Sequence, residues 1–168
     1  LHFRAWLPLR ARLPVSWPHA LAGIWLLLGW AWLVRGAAHA GVPYRPWAFD
    51  HWAYSDLLAM GGDRYFHGGR PLPYLEDAIE YPPLLGLVIW GASFAPGGPA
   101  GYFTAGYLFL SAACLASVSL LGRIPGADPR WYAATPALVV LAGLNWDQLP
   151  IALLLAALLL HLRGGQAG

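Results

Sequence analysis

The chain has 168 residues, of which 58% are hydrophobic and only 11% are charged, and its formal net charge is +2. A soluble domain of this size usually carries about a quarter charged residues, so the composition favours an integral membrane protein. All the basic residues are Arg, scattered between apolar runs without a basic patch, and this excludes a nucleic-acid-binding protein.

The N-terminal segment, residues 1–15, predicts the orientation of the chain in the membrane. It contains three arginines and no acidic residue. Positively charged segments next to a span stay in the cytoplasm, so we expect a cytoplasmic N-terminus. The chain begins at Leu1 and its one Met is Met60, so we expect it to be a piece of a longer protein.

Residues 17–34 are predicted to form the first membrane-spanning helix. Trp17 and Trp32 lie near its ends, where Trp side chains anchor a span at the membrane interface. The segment is too long and too rich in Trp for a signal peptide. We therefore interpret it as an uncleaved anchor.

The segment 36–82 is predicted to be a long extracytoplasmic loop that holds short interfacial helices. It is rich in Gly, Pro, Tyr and Trp, and a loop this long between two spans is usually functional. Six of the eight acidic residues lie in it: Asp50, Asp56, Asp63, Glu76, Asp77 and Glu80.

Four apolar segments follow, and together with the first span they predict an all-α, polytopic transmembrane helix bundle. Segment 83–95 is short for a crossing that needs about 20 residues. It either crosses the membrane fully, or it dips in and returns or lies along the interface. We favour the second alternative, because the two-Arg connector "GRIPGADPR" and the later Arg163 then stay in the cytoplasm. The loop and the "NWDQ" corner then face the same, outer side. The further predicted spans are 100–121, 131–144 and 149–162.

Asp56, in the stretch "YSDL", is the candidate catalytic residue. A Ser-Asp pair before a short apolar turn is typical of a helix N-cap, which is the simpler interpretation. The alternative is a general base at the outer membrane surface, where a carboxylate can take the proton of an attacking hydroxyl.

Arg64, His67 and Arg70 are candidates for binding a lipid phosphate, because Arg makes bidentate contacts with phosphate oxygens. The simpler interpretation of these residues is a solvated turn with weak ion pairs.

Two further polar groups flank apolar segments. Glu80 and Tyr81, followed by a proline pair, are candidates for the rigid wall of a pocket at the membrane surface. Asn145 and Asp147 lie between two apolar stretches, and polar groups kept inside membrane segments are functional candidates by default. The alternative is an ordinary solvated helix end in the first case and an ordinary helix corner in the second.

Motifs for nucleotide or zinc chemistry are missing from the sequence: there is no Walker loop, no G-x-G-x-x-G after a strand, no HExxH and no GxSxG. Cys114 is the single Cys, so neither a disulfide framework nor a Cys-based zinc site is possible. We predict no cofactor and no metal site.

Four stretches together resemble the polyprenol-phosphate-mannose-dependent mannosyltransferases of glycosyltransferase family 87, which have the multi-spanning GT-C architecture. They are "YSDL" at 54–57, "DRYFHGGRPLPYLE" at 63–76, "EYPPLLG" at 80–86 and "NWDQLPIALLLAALLL" at 145–160. The acidic loop followed by "EYPP" is the most distinctive feature. Gln148 departs from the pattern, since we expect an aliphatic residue there.

The resemblance implies an inverting transfer of a sugar, in this family mannose, from a polyprenyl phosphate to a hydroxyl acceptor on a glycolipid or glycan. Asp56 would activate the acceptor, while Arg64 and Arg70 would stabilise the departing phosphate. The expected location is the plasma membrane of a bacterium. Two other functions stay open: a transporter or channel segment, in which Asp147 and the loop acids guide a cation or proton, and a non-catalytic membrane assembly subunit.

Overall fold

The computed structural model describes residues 17–40, 44–66 and 69–164, and within these ranges the chain is all-helical without a β-strand. The arginine-rich N-terminal segment, on which the predicted orientation depends, lies outside the described residues. The helices are α1 Trp17–Leu33, α2 Tyr44–Asp50, α3 Asp56–Arg64, α4 Pro83–Ala92, α5 Gly98–Leu121, α6 Pro129–Ala133, α7 Leu138–Leu144 and α8 Gln148–Gly164. A 3-10 segment, Val34–His39, continues α1.

Two helices of the described part are long and apolar enough to cross a membrane: α1 with its 3-10 extension, and α5. The consecutive helices α7 and α8 meet the same criteria as a pair, but they are bent by 96° at the break between them. Helix α4 has 10 residues, so it is about 15 Å long, against about 30 Å of hydrocarbon in a bilayer. By length, α4 cannot cross a membrane on its own.

The segment predicted as one span at 131–144 consists of two short helices, α6 and α7. Pro136 lies between them, and it has no N–H to donate to a continuing helix. It also disfavours helical backbone at the preceding residue, Thr135. Asp128 marks the start of α6, because its carboxylate accepts a hydrogen bond of 2.9 Å from the Arg130 N–H.

Helices α1, α5 and α7 pack closely at two glycines. A side chain at Gly29 of α1 would collide with the Val139 carbonyl oxygen of α7 and with the Tyr107 hydroxyl of α5. A Cβ at Gly143 of α7 would lie 2.5 Å from the Tyr107 ring. The Tyr107 hydroxyl donates a hydrogen bond of 2.9 Å to the Leu26 carbonyl, so its polar group is satisfied inside the contact.

Helix α3 connects the loop to this bundle. Leu57 and Leu58 are fully buried, and α3 packs against both α5 and α7. Trp146, at the break between α7 and α8, is also fully buried and would lie 2.9 Å from a Cβ at Gly106 of α5. These apolar contacts fix the start of α3 beside the bend of the broken helix pair.

We expect Gly29→Ala to destabilise the protein by about 1–3 kcal/mol, because the backbone carbonyl beside Gly29 cannot move without displacing α7. Thermal unfolding in detergent, followed by circular dichroism, measures this loss. Gly23→Ala in the same helix is the matched control, since nothing lies within 4 Å of a Cβ there. An equal melting temperature for both variants would contradict the close α1–α7 contact.

Candidate functional site

Asp56 is the first residue of α3, and the preceding Ser55 is the residue that caps the helix. The Ser55 hydroxyl accepts a hydrogen bond of 3.3 Å from the Leu57 N–H, and the Ser55 backbone is extended, as in a typical N-cap. The Asp56 carboxylate lies in the first turn, where the helix dipole favours a negative charge. Because Ser55 performs the capping, the Asp56 carboxylate is available for other contacts.

Two tyrosine hydroxyls hold the Asp56 carboxylate. Tyr54 donates a hydrogen bond of 2.8 Å to Oδ1, and Tyr81 donates one of 3.2 Å to Oδ2. Each carboxylate oxygen can accept two hydrogen bonds, so each oxygen keeps one position for a further donor. The half-buried carboxylate is therefore held in a fixed orientation and can still accept a proton or a hydrogen bond.

The hydroxyl of Tyr81 lies in a negative electrostatic environment. Partial burial, and then the charge of Asp56 and the hydrogen bond to it, raise the pKa of Tyr81 to about 12. The carboxylates of Asp147 and Glu80 shift this pKa in the same direction. Residues that are far apart in the sequence therefore act on one hydroxyl. We call Asp56, Glu80, Tyr81 and Asp147 the acidic cluster.

Buried hydrogen bonds fix the start of α3 to the bundle. The Ser55 hydroxyl donates a hydrogen bond of 2.6 Å to the Gly143 carbonyl of α7. The Ser55 N–H donates one of 2.8 Å to the Tyr44 hydroxyl of α2. Sequence reasoning identified Ser55 as part of a helix cap but missed Tyr44 and Tyr54 as supports of the site. The i, i+2 spacing of Tyr54 and Asp56 was an available signal, since side chains two apart in extended backbone share a face.

The "NWDQ" corner forms a closed turn at the break between α7 and α8. The Asn145 side-chain amide donates a hydrogen bond of 2.6 Å to the Asp147 carboxylate, and the Asp147 N–H donates one of 3.2 Å to the Asn145 side-chain oxygen. Asn145 thus orients Asp147, which stays exposed. Gln148 is buried, and its side-chain oxygen accepts a hydrogen bond of 2.6 Å from the Tyr132 hydroxyl, so this polar residue has a partner.

The predicted phosphate-binding arginines differ in their surroundings. Arg64 forms an ion pair with Asp77, at 2.6 Å between Nε and Oδ2, and also donates to the Ala78 carbonyl. This pair reduces the positive charge that Arg64 can offer to a phosphate. His67, the third predicted member of this group, lies outside the described residues.

Arg70 lies at an open cavity of about 500 Å³ that Tyr65, Phe66, Gly69 and Phe94 also line. Its Nε donates a hydrogen bond of 3.1 Å to the Ser93 carbonyl, and its guanidinium lies 4.8 Å from the centroid of the Phe94 ring. Among the described residues, no carboxylate forms an ion pair with Arg70, and its contacts do not include the acidic cluster. The structure thus separates the candidate residues into an acidic group and a cationic cavity.

Within the described ranges, no three His, Cys, Asp or Glu side chains come together in a way that could hold a metal ion. The carboxylates of Asp56 and Asp147 instead interact with hydroxyl and amide donors. The chemistry available from the described side chains is proton acceptance by a carboxylate and anion binding by an arginine.

No family model matches the chain, and comparison with curated proteins and with solved structures likewise gives no match. The resemblance to glycosyltransferase family 87 therefore stays a prediction from the sequence.

We expect Tyr81 to ionise at about pH 12, above the ordinary value of 10.0, in an alkaline absorbance titration. The difference between the native protein and Tyr81→Phe isolates this group. Because folding raises the pKa, the contribution of Tyr81 to stability is complete below pH 10 and is lost as the pH rises towards 12.

Asp56→Asn is expected to lower the pKa of Tyr81 without restoring its ordinary value, because burial is the largest cause of the shift. Asp128→Asn, on the connector before α6, is the matched control and should leave the titration unchanged. An unchanged Tyr81 titration in Asp56→Asn would contradict the contact between the two side chains.

The acidic cluster also predicts that the loop and the "NWDQ" corner face one side of the membrane. In a Cys114→Ala background, single cysteines at positions 70 and 147 are expected to react with a membrane-impermeant maleimide from the same side of sealed vesicles. A cysteine at position 123, beyond the other end of α5, should react only from the opposite side. Labelling of positions 70 and 147 from opposite sides would disprove this arrangement.

Proposed function

We propose that this chain belongs to a membrane glycosyltransferase that moves a sugar from a polyprenyl-phosphate donor to a hydroxyl acceptor on the extracytoplasmic side. In this proposal the helices form part of a polytopic, GT-C-like bundle in a bacterial plasma membrane, with a cytoplasmic N-terminus. The sugar is mannose, as the family resemblance implies. The observation that carries the proposal is the Asp56 carboxylate, which two tyrosine hydroxyls orient at the point where the loop meets the apolar helices.

Asp56 is the proposed general base. The acceptor hydroxyl hydrogen-bonds to a free lone pair of the carboxylate, and its oxygen attacks the anomeric carbon of the donor sugar. As the new C–O bond forms, the hydroxyl proton passes to Asp56, and the bond from the anomeric carbon to the phosphate oxygen breaks. The polyprenyl phosphate leaves with the electron pair, so the configuration at the anomeric carbon inverts. A general base in such a step typically accelerates it about 10²- to 10⁴-fold.

Arg70 is the better of the two predicted arginines for the leaving phosphate. Arg64 already pairs with Asp77, whereas Arg70 offers its charge to an open cavity with aromatic walls. A cation beside the leaving oxygen stabilises the negative charge that develops there. The separation of Arg70 from the acidic cluster suits this division of roles, because a carboxylate next to the phosphate would repel it.

We expect Asp56→Asn to reduce sugar transfer about 10²- to 10⁴-fold, because the amide cannot accept the proton. The measurement uses membranes that contain the protein, a labelled polyprenyl-phosphate sugar and a hydroxyl acceptor. Asn is nearly isosteric with Asp and still accepts a hydrogen bond, so the protein should insert and fold normally.

Asp50→Asn is the matched control, since Asp50 is an exposed carboxylate at the end of α2 in the same loop. It should transfer sugar at the native rate. Full activity of Asp56→Asn would end the catalytic assignment. Equal loss in both variants would indicate a general effect of loop charge and would contradict a specific base.

The bend between α7 and α8 favours one alternative, a transporter or channel segment. Broken helices with a polar residue at the break line ion and substrate sites in many transporters, and Asp147 lies at such a break. Ion flux into proteoliposomes that is lost in Asp147→Asn, in the absence of any sugar lipid, would favour this alternative over the transferase.

A further inference from the structure

The turn after α2 carries an aromatic surface that the proposed reaction does not use. In the loop, the Trp52 side chain is 85% exposed and the Phe49 side chain is 62% exposed. Tyr54 stacks on Phe49, with 4.8 Å between the ring centroids, and holds the Phe49 ring in place. Large apolar side chains grouped outside the core usually mark an interaction surface.

The backbone of Trp52 is in an unfavourable conformation. Its φ is +53°, in the left-handed region that bulky residues rarely adopt. Its carbonyl accepts a hydrogen bond of 3.0 Å from the Trp32 indole N–H, which helps to hold this conformation. Because the side chain is exposed, core packing does not explain why a Trp occupies this position. Strain of this kind is kept mainly where a residue has a role outside the core.

Trp32 joins this turn to the first candidate span. It lies near the end of α1, is 41% exposed, and has the Arg35 guanidinium 3.9 Å from its ring centroid. Trp and Arg at the end of a spanning helix are typical of the membrane–water interface. Since the Trp52 carbonyl is hydrogen-bonded to the Trp32 indole, Trp52 lies at the same level as this end of α1.

We propose that Phe49 and Trp52, together with Trp32 and Arg35, form an interfacial anchor that seats the loop on the lipid headgroups. The aromatic rings contact the boundary between headgroups and acyl chains, and Arg35 contacts lipid phosphate. Lipid is the occupant that the structure favours, because the exposed Leu28 lies one turn before Trp32 on the same face of α1, which is a candidate span. The anchor does not depend on the proposed enzymatic activity.

The test measures the depth of a nitroxide label at position 52, introduced as Trp52→Cys in a Cys114→Ala background. The protein is reconstituted in vesicles of phosphatidylcholine and phosphatidylglycerol. Oxygen concentrates in the bilayer, while a nickel chelate stays in water, so their collision rates with the label report its depth. We expect more oxygen and fewer nickel collisions at position 52 than at position 78, which is an exposed Ala in the same loop.

A second label at Phe49→Cys leaves Trp52 in place and should give the same result as position 52. Because both side chains are exposed, these variants are expected to keep the native helical circular dichroism. Nickel accessibility at 49 and 52 equal to that at 78 would overturn the proposal. Labels protected from both reagents and broadened by spin–spin coupling would also overturn it, because a second copy of the chain would then cover the surface.

Discussion

The close approach of α1, α5 and α7 at Gly29 and Gly143 is the constraint on which the rest of the structure depends. Tyr107 fills the space that these glycines leave, with its ring against Gly143 and its hydroxyl hydrogen-bonded to the Leu26 carbonyl. Lipid removes most of the hydrophobic driving force for the association of apolar helices, so they associate largely by close packing. Small residues permit this packing because they let the backbones approach. Larger side chains at either position would move α7 away from the bundle.

The position of α7 determines where the loop acid lies. Gly143 admits the Tyr107 ring because it has no side chain. The carbonyl of the same residue accepts the hydrogen bond of Ser55. Ser55 caps α3 and thereby places Asp56 beside Tyr81, whose hydroxyl also interacts with the charge of Asp147. A backbone carbonyl near the end of a short helix is therefore the link between helix packing and the acidic cluster. The same packing leaves the Trp52 side chain outside the core, while the Trp52 carbonyl is hydrogen-bonded to Trp32 near the end of α1.

Much of the architecture could be predicted from residue patterns, because apolar segments of membrane length have few alternatives to helices. The apolar runs predicted the two long helices and the short segment 83–95 that contains α4. The break inside 131–144 was not predicted, although Pro136 was visible, because hydropathy averages over such a residue. Among the candidate site residues, Asp56 could be identified from its position in the loop. Its hydroxyl partners were not, since Tyr81 lies 25 residues away in the sequence.

The sequence by itself determined that the chain is apolar and helical and has segments long enough to cross a membrane, because these properties follow from composition and local periodicity. Only the tertiary structure decided which polar groups act together. It paired Arg64 with Asp77, left Arg70 at an open cavity, and joined Ser55 to the Gly143 carbonyl. These outcomes depend on distances between segments far apart in the chain, and such distances are set by how glycines, aromatic rings and bends let helices approach one another.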